Sequence, residues 1–194
     1  MTETTATLDV RPNLAVLVGA GGALALLSAA FLPWPVAIAS TVLGILMIAG
    51  AEVDARTYLL PDVVTLGAAL AGILAALLIE PFDLWFDPLL ASASAAARAI
   101  GCAAVLALLR YGYAQIRQRE GLGFGDVKLA AAIGAWLPLD AIPLCFALAA
   151  SAALLSALIA LLRGETVERA TRLPFGAFLC PSLWLVFYAG ALST

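Results

Sequence analysis

Residues 121–137 read GLGFGDVKLAAAIGAWL. A charged run, RYGYAQIRQRE at 110–120, precedes them. Behind Asp126 and Lys128 the chain is apolar as far as Pro138. An aspartate, a lysine and closely spaced glycines therefore stand where the polypeptide re-enters apolar surroundings. The apolar run is continuous rather than alternating, which is the pattern of a buried or membrane-embedded helix and not of a barrel strand.

The rest of the chain repeats that pattern on a larger scale. Of 194 residues, 64% are hydrophobic and only 12% are charged, against about 25% charged in an ordinary soluble domain. Mean hydropathy is +1.06. Several apolar stretches approach or exceed the roughly 18 residues that span a bilayer as a helix. The fold class expected is all-α, a polytopic transmembrane bundle of about six to seven helices. A polar N-terminal tail, 1–12, precedes one membrane-embedded domain, 13–194. The tail lacks the basic start of a cleavable signal peptide. Helices are expected near 13–32, 36–54, 62–79, 94–113, 125–138, 141–162 and 173–192, with 125–138 short for a full span. Prolines and charges mark the connections between them. Small residues crowd the helices, and Gly19, Gly22, Gly67 and Gly72 are expected to mark close helix contacts.

Composition also removes whole classes of chemistry. With no histidine, the usual general base, a Ser-His triad and most zinc sites are absent. Cys102, Cys145 and Cys180 are isolated in apolar segments and read as packing residues. No metal and no cofactor is expected, and nothing suggests nucleic acid as a partner. The lipid bilayer is the partner that composition dictates.

The basic residues orient the bundle. With seven spans, Arg11, Arg56, Arg110, Arg117, Arg119, Lys128, Arg163, Arg169 and Arg172 fall on one side, and only Arg98 does not. The opposite connections, LPWP, EPFDLWFDP and PLDAIP, carry no basic residue. The basic side is expected to be cytoplasmic, with the N-terminus inside. Trp34, Trp85 and Trp136 lie near the outer connections, as an interfacial belt would.

Most acids fall in loops. Glu80, Asp83, Asp87 and Asp140 read as solvated outer charges, and Glu165 and Glu168 as surface partners of arginines. Asp54 and Asp126 differ, because each stands at the cytoplasmic end of an apolar run. An ionisable group there is costly and is a functional candidate. At one membrane depth the two can form a pair that shares a proton, one activating water and the other protonating or hydrogen-bonding a carbonyl. That chemistry needs neither histidine nor metal. The structural alternatives are that Asp126 caps its helix and that Asp54 pairs with Arg56.

Two segments taken together carry a resemblance. DARTYLLPDVVT, 54–65, and GLGFGDVKLAAAIGAWL, 121–137, resemble the two signature segments of the type IV prepilin peptidases, the GxGD aspartic proteases of the bacterial inner membrane. Gly123 to Asp126 matches GxGD, and Asp54 followed by Leu60-Pro61-Asp62 matches the first-aspartate segment. RLPFGAFL, 172–179, resembles the family's late Pro-Phe-Gly segment. The resemblance implies an aspartic endopeptidase with Asp54 and Asp126 catalytic, cutting the leader of a prepilin or pseudopilin at the cytoplasmic face. It implies that Gly123 and Gly125 supply permissive backbone, that Asp62 caps the third helix with Pro61 shaping the turn, and that Pro174, Phe175 and Gly176 line the site. Lys128 orients a carboxylate, receives an acidic substrate group, or snorkels at the interface. Longer members carry an N-terminal four-cysteine zinc segment associated with methylation. This sequence shows no such cysteines, so methyltransferase activity is not expected. Two rival readings remain at this level: a small ion- or proton-coupled transporter subunit, and a GxGD protease of the presenilin or signal-peptide-peptidase kind.

Overall fold

The computed structural model describes residues 12–79, 87–117, 123–163 and 174–193. Tail residues 1–11 lie outside this set, together with Glu80, Asp83, Trp85, Arg119, Glu165, Glu168, Arg169 and Arg172. Seven helices run through the described residues, with no strand among them: α1 (Leu14–Phe31), α2 (Trp34–Thr57), α3 (Asp62–Leu78), α4 (Pro88–Arg117), α5 (Phe124–Trp136), α6 (Ile142–Leu162) and α7 (Phe175–Leu192). Helices α1, α2, α4, α6 and α7 are long and apolar enough to cross a membrane. The 17 residues of α3 fall just short. The 13 residues of α5 reach only about 20 Å, so α5 needs the helices around it.

Local chemistry sets the helix ends. The Asn13 side chain accepts from the Ala15 N–H at 3.0 Å and starts α1. Pro33 and Pro35 open α2, where a missing N–H costs nothing. α4 is longer than the expected 94–113. Asp87 accepts from the N–H groups of Leu89 at 2.9 Å and Leu90 at 3.3 Å, and Pro88 is the first helical residue. Asp87 is thus an N-cap rather than merely a solvated loop charge, and Asp-Pro ahead of an apolar run is a signal for one. α2 likewise runs a turn beyond the expected 54. It ends at Tyr58, the one described non-glycine residue with positive φ, 55°, whose N–H donates to the Asp54 carbonyl at 2.9 Å.

The core lies where α2, α5 and α7 meet. Leu43 and Met47 on α2, Leu129 and Ile133 on α5, and Leu179 and Leu183 on α7 are fully buried. α3 and α4 pack on α5, α1 packs on α2, and α6 packs on α7. Large apolar side chains such as Leu26, Leu70, Ile100, Leu108, Leu154 and Leu162 face outward, as surfaces meeting lipid do. Hydrogen bonds between helices supply what apolar packing in lipid does not. Ser28 and Ser40 join their hydroxyls at 2.9 Å. Trp184 donates to the Ser40 carbonyl at 3.1 Å. Trp136 donates to the Ala68 carbonyl at 2.7 Å and stands edge-on to Phe187. Trp136 is therefore buried in the core and is no interfacial anchor, while Trp34 is 77% exposed and fits that role.

Of the four glycines expected at contacts, only Gly72 is at one, against Ala135 and Trp136; Gly19, Gly22 and Gly67 face open space. The closest helix approach is at Gly134 instead. A Cβ there would stand 2.4 Å from the Arg98 carbonyl oxygen on α4. Arg98, the basic residue that broke the orientation pattern, has a local partner set. Its Nε donates to the carbonyls of Gly134 at 3.2 Å and Leu137 at 3.1 Å, at the end of α5 where carbonyls lack helical partners. Gly134→Ala is expected to destabilise the fold by about 1–3 kcal/mol, because the obstruction is backbone and cannot rotate away. Thermal unfolding in detergent measures it, and an unchanged midpoint would contradict the α4–α5 contact.

Candidate active site

α1, α3, α5 and α7 begin at the end of the bundle where α2 finishes. The Asn13 N–H donates to Glu52 at 2.9 Å, and the Ala177 N–H on α7 donates to Asp54 at 2.8 Å. The short turn 58–61 delivers the chain from α2 directly into α3. Asp54 and Asp126 are both buried at this end.

Asp54 sits in the last turn of α2, inside the helix rather than at its edge. Its Oδ2 accepts from the Ala177 N–H, and the Gly176 N–H donates to the same carboxylate. Both donors lie in the first turn of α7, at its positive end, and the Ala177 N–H is shared with the Pro174 carbonyl at 3.2 Å. The Asp54 side chain therefore caps α7 from another helix. Arg56 pairs instead with Glu52, one turn back, at 3.0 Å.

Asp126 is the third residue of α5, and Gly123 holds the N-cap position. The Asp126 side chain reaches back to the Gly123 N–H, the half of a capping box that the acid supplies, since glycine has no side chain to return the bond. Capping is thus part of what Asp126 does, although it is not the N-cap residue. The Asp54 and Asp126 carboxylates interact electrostatically, and both act on the buried Cys180 of α7. Two acids remote in sequence are thus both buried and close enough to feel each other's charge.

The glycines contribute by lacking a side chain. Gly123 has an extended backbone, φ −67°, and neither it nor Gly125 adopts the left-handed conformation that requires glycine. The expectation of a permissive backbone is corrected to one of space. A Cβ on Gly123 would stand 3.3 Å from the Asp126 Oδ2, and one on Gly125 would stand 3.0 Å from the Leu60 Cβ. At Gly176 a Cβ would meet the Leu60 Cδ1 at 2.2 Å and the Asp54 Oδ2 at 2.8 Å.

The remaining expected residues divide. Pro174 is the N-cap of α7 and Phe175 its first residue, so the Pro-Phe-Gly segment forms the cradle of Asp54. Pro61 takes the N-cap of α3 and Asp62 is its first helical residue. The Asp62 side chain turns to Lys128 Nζ at 2.5 Å, so it bridges α3 to α5. Lys128 also stands over the Phe124 ring, 4.8 Å from its centroid. It is engaged with Asp62 rather than with either buried aspartate. Leu60, which the sequence offered only as part of a motif, lies against Gly125 and Gly176.

The architecture defines a multi-pass helical membrane protein with a buried two-carboxylate site at one end of the bundle. Comparison with known proteins gives the class a family: residues 41–159 match the type IV leader peptidase family, and the chain belongs to it. It is 36% identical over 163 residues to a protein of Burkholderia pseudomallei named prepilin leader peptidase/N-methyltransferase, covering 82% of this chain and 48% of that one. A protein of the same name from Xanthomonas campestris is 32% identical over 150 residues, 77% of this chain and 49% of that one. Leader peptidase HopD of Escherichia coli is 34% identical over 140 residues, 72% of this chain and 85% of that one. The chain thus spans about half the length of the first two relatives. No solved structure matches it.

Proposed function

We propose that this protein is a membrane aspartic endopeptidase that removes the leader peptide of a prepilin or pseudopilin, with Asp54 and Asp126 acting on water. The observation that carries the reading is the meeting of two buried carboxylates from the two signature segments. Family membership and the names of the relatives supply the substrate class. They weigh against the transporter reading, and no observation favours a presenilin-like one.

The roles follow from the hydrogen bonds. Burial penalises the charged form of both acids, but Asp54 accepts two backbone N–H groups at the positive end of α7 against one for Asp126, which offsets more of that cost at Asp54. Asp54 is the ionised base and Asp126 holds the shared proton. Asp54 takes a proton from water, and the hydroxide adds to the scissile carbonyl carbon while Asp126 hydrogen-bonds the carbonyl oxygen. Protonation of the amide nitrogen by the acidic partner then releases the amine as the C–N bond breaks. The rim position suits this task. A substrate helix lies among lipid-facing helices while its leader junction reaches an acid pair near water. We place this end at the cytoplasmic face of the bacterial inner membrane, on the strength of the basic connections.

The test is incubation of the purified protein with a panel of prepilin-type substrates, the cut mapped by mass spectrometry. Cleavage at the leader–helix junction is the expected result. Intact substrates across the panel would overturn the reading.

A further inference from the structure

We propose that Leu60 is a positioning residue, a spacer on the α2–α3 turn that sets the separation of Asp54 and Asp126. The inference rests on the peptidase reading above and extends it to a residue outside the acid pair.

The packing around Leu60 carries it. Its side chain meets three helices at three glycines. A Cβ on Gly125 of α5 would have Leu60 atoms as its three nearest neighbours, at 3.0, 3.3 and 3.7 Å. A Cβ on Gly176 of α7 would meet the Leu60 Cδ1 at 2.2 Å, and one on Gly50 of α2 would meet its Cδ2 at 3.7 Å. Gly125 immediately precedes Asp126, and Gly176 donates its N–H to Asp54. The leucine thus stands between the backbone that carries one carboxylate and the backbone that cradles the other. Its own backbone is anchored at both sides. Tyr58 closes α2 in a left-handed conformation, and Pro61 opens α3. Such a conformation is unfavourable for a tyrosine and persists where the surroundings hold it. A turn of four residues pinned at both ends has little freedom to carry its leucine elsewhere.

Two like charges repel more as they approach, which spreads the two apparent pKa values of a coupled pair. A spacer between the helix ends therefore governs the width of the pH–rate profile. Leu60→Ala removes the spacer, lets the helix ends approach and is expected to widen the bell by roughly one pH unit. Gly125→Ala pushes α5 outward from Leu60 and is expected to narrow it. Both are expected to lower kcat by about 10-fold to 100-fold, as misplaced reacting groups do. Leu60→Met, which conserves volume, is expected to keep the wild-type profile.

Among the described residues, the other titratable or charged groups around the pair are Glu52 and Arg56 on α2, Tyr58 on the turn, Asp62 on α3, Arg110 on α4, Lys128 on α5, Cys145 on α6 and Cys180 on α7. All are present in every variant, so changes in the profile report on the pair.

The experiment is cleavage of a prepilin peptide by the detergent-purified 194-residue chain across pH, for wild type and the three variants. Asp54→Asn and Asp126→Asn serve as controls. Opposite shifts in Leu60→Ala and Gly125→Ala, with Leu60→Met unchanged, support the proposal. A Leu60→Ala profile of wild-type width, merely scaled down with the folded fraction, overturns it while inactive Asn variants leave the peptidase reading standing. Active Asn variants overturn the two-carboxylate reading itself.

Discussion

Asp54→Asn and Asp126→Asn are each expected to lower peptidase activity by at least about 10²–10⁴-fold, the usual contribution of a positioned acid or base. Folding is expected to survive both changes. An asparagine at 54 keeps an acceptor for the Ala177 N–H, and one at 126 keeps an acceptor for Gly123. What is lost is the ability to take up and return a proton. Because the two carboxylates act as a unit, the double variant is expected to cost about as much as either single one, far less than the product of the two. Cleavage assays beside unfolding curves separate these effects. Multiplicative losses in the double variant would show two independent acids rather than a pair.

Gly176→Ala is expected to be nearly as damaging, for a reason of geometry rather than charge. The added methyl would meet the Leu60 Cδ1 at 2.2 Å and the Asp54 Oδ2 at 2.8 Å. The leucine tip can rotate. The carboxylate cannot move freely, because backbone donors from the same turn of α7 hold it. A displacement approaching 1 Å there costs about 10²-fold in rate, with about 1–3 kcal/mol of stability lost to overpacking. Leu60→Ala added to Gly176→Ala is expected to leave the activity low, since the contact with Asp54 remains. Recovery in that double variant to the rate of Leu60→Ala alone would show that the leucine, not the carboxylate, was the obstacle.

Much of this site was legible in the residues. Asp54 and Asp126 stand out because acids at the ends of apolar runs are rare, and Gly123 to Asp126 is a short, specific pattern. The late Pro-Phe-Gly segment was visible too, but its task was not. A glycine needed for space resembles a glycine needed for backbone freedom until the neighbour that fills the space is known, and Leu60 arrives from another turn altogether. Lys128 shows the same limit. Three roles suited it in sequence, and the position of Asp62 on the adjacent helix selected an ion pair. Asp87 and Pro88 are different, since that start signal for α4 was local and could have been used.

A helical membrane protein with two acids at helix ends could be read from the residues alone, because hydropathy and local motifs depend on neighbours along the chain. The folded chain brings these acids within electrostatic reach, turns the first N–H groups of α7 to Asp54 and sets Leu60 between the helices. Such contacts depend on which faces of α2, α5 and α7 turn inward. These helices are apolar nearly all round, so their periodicity names no inner face. The close approaches at glycine and the few hydrogen bonds between helices select it instead.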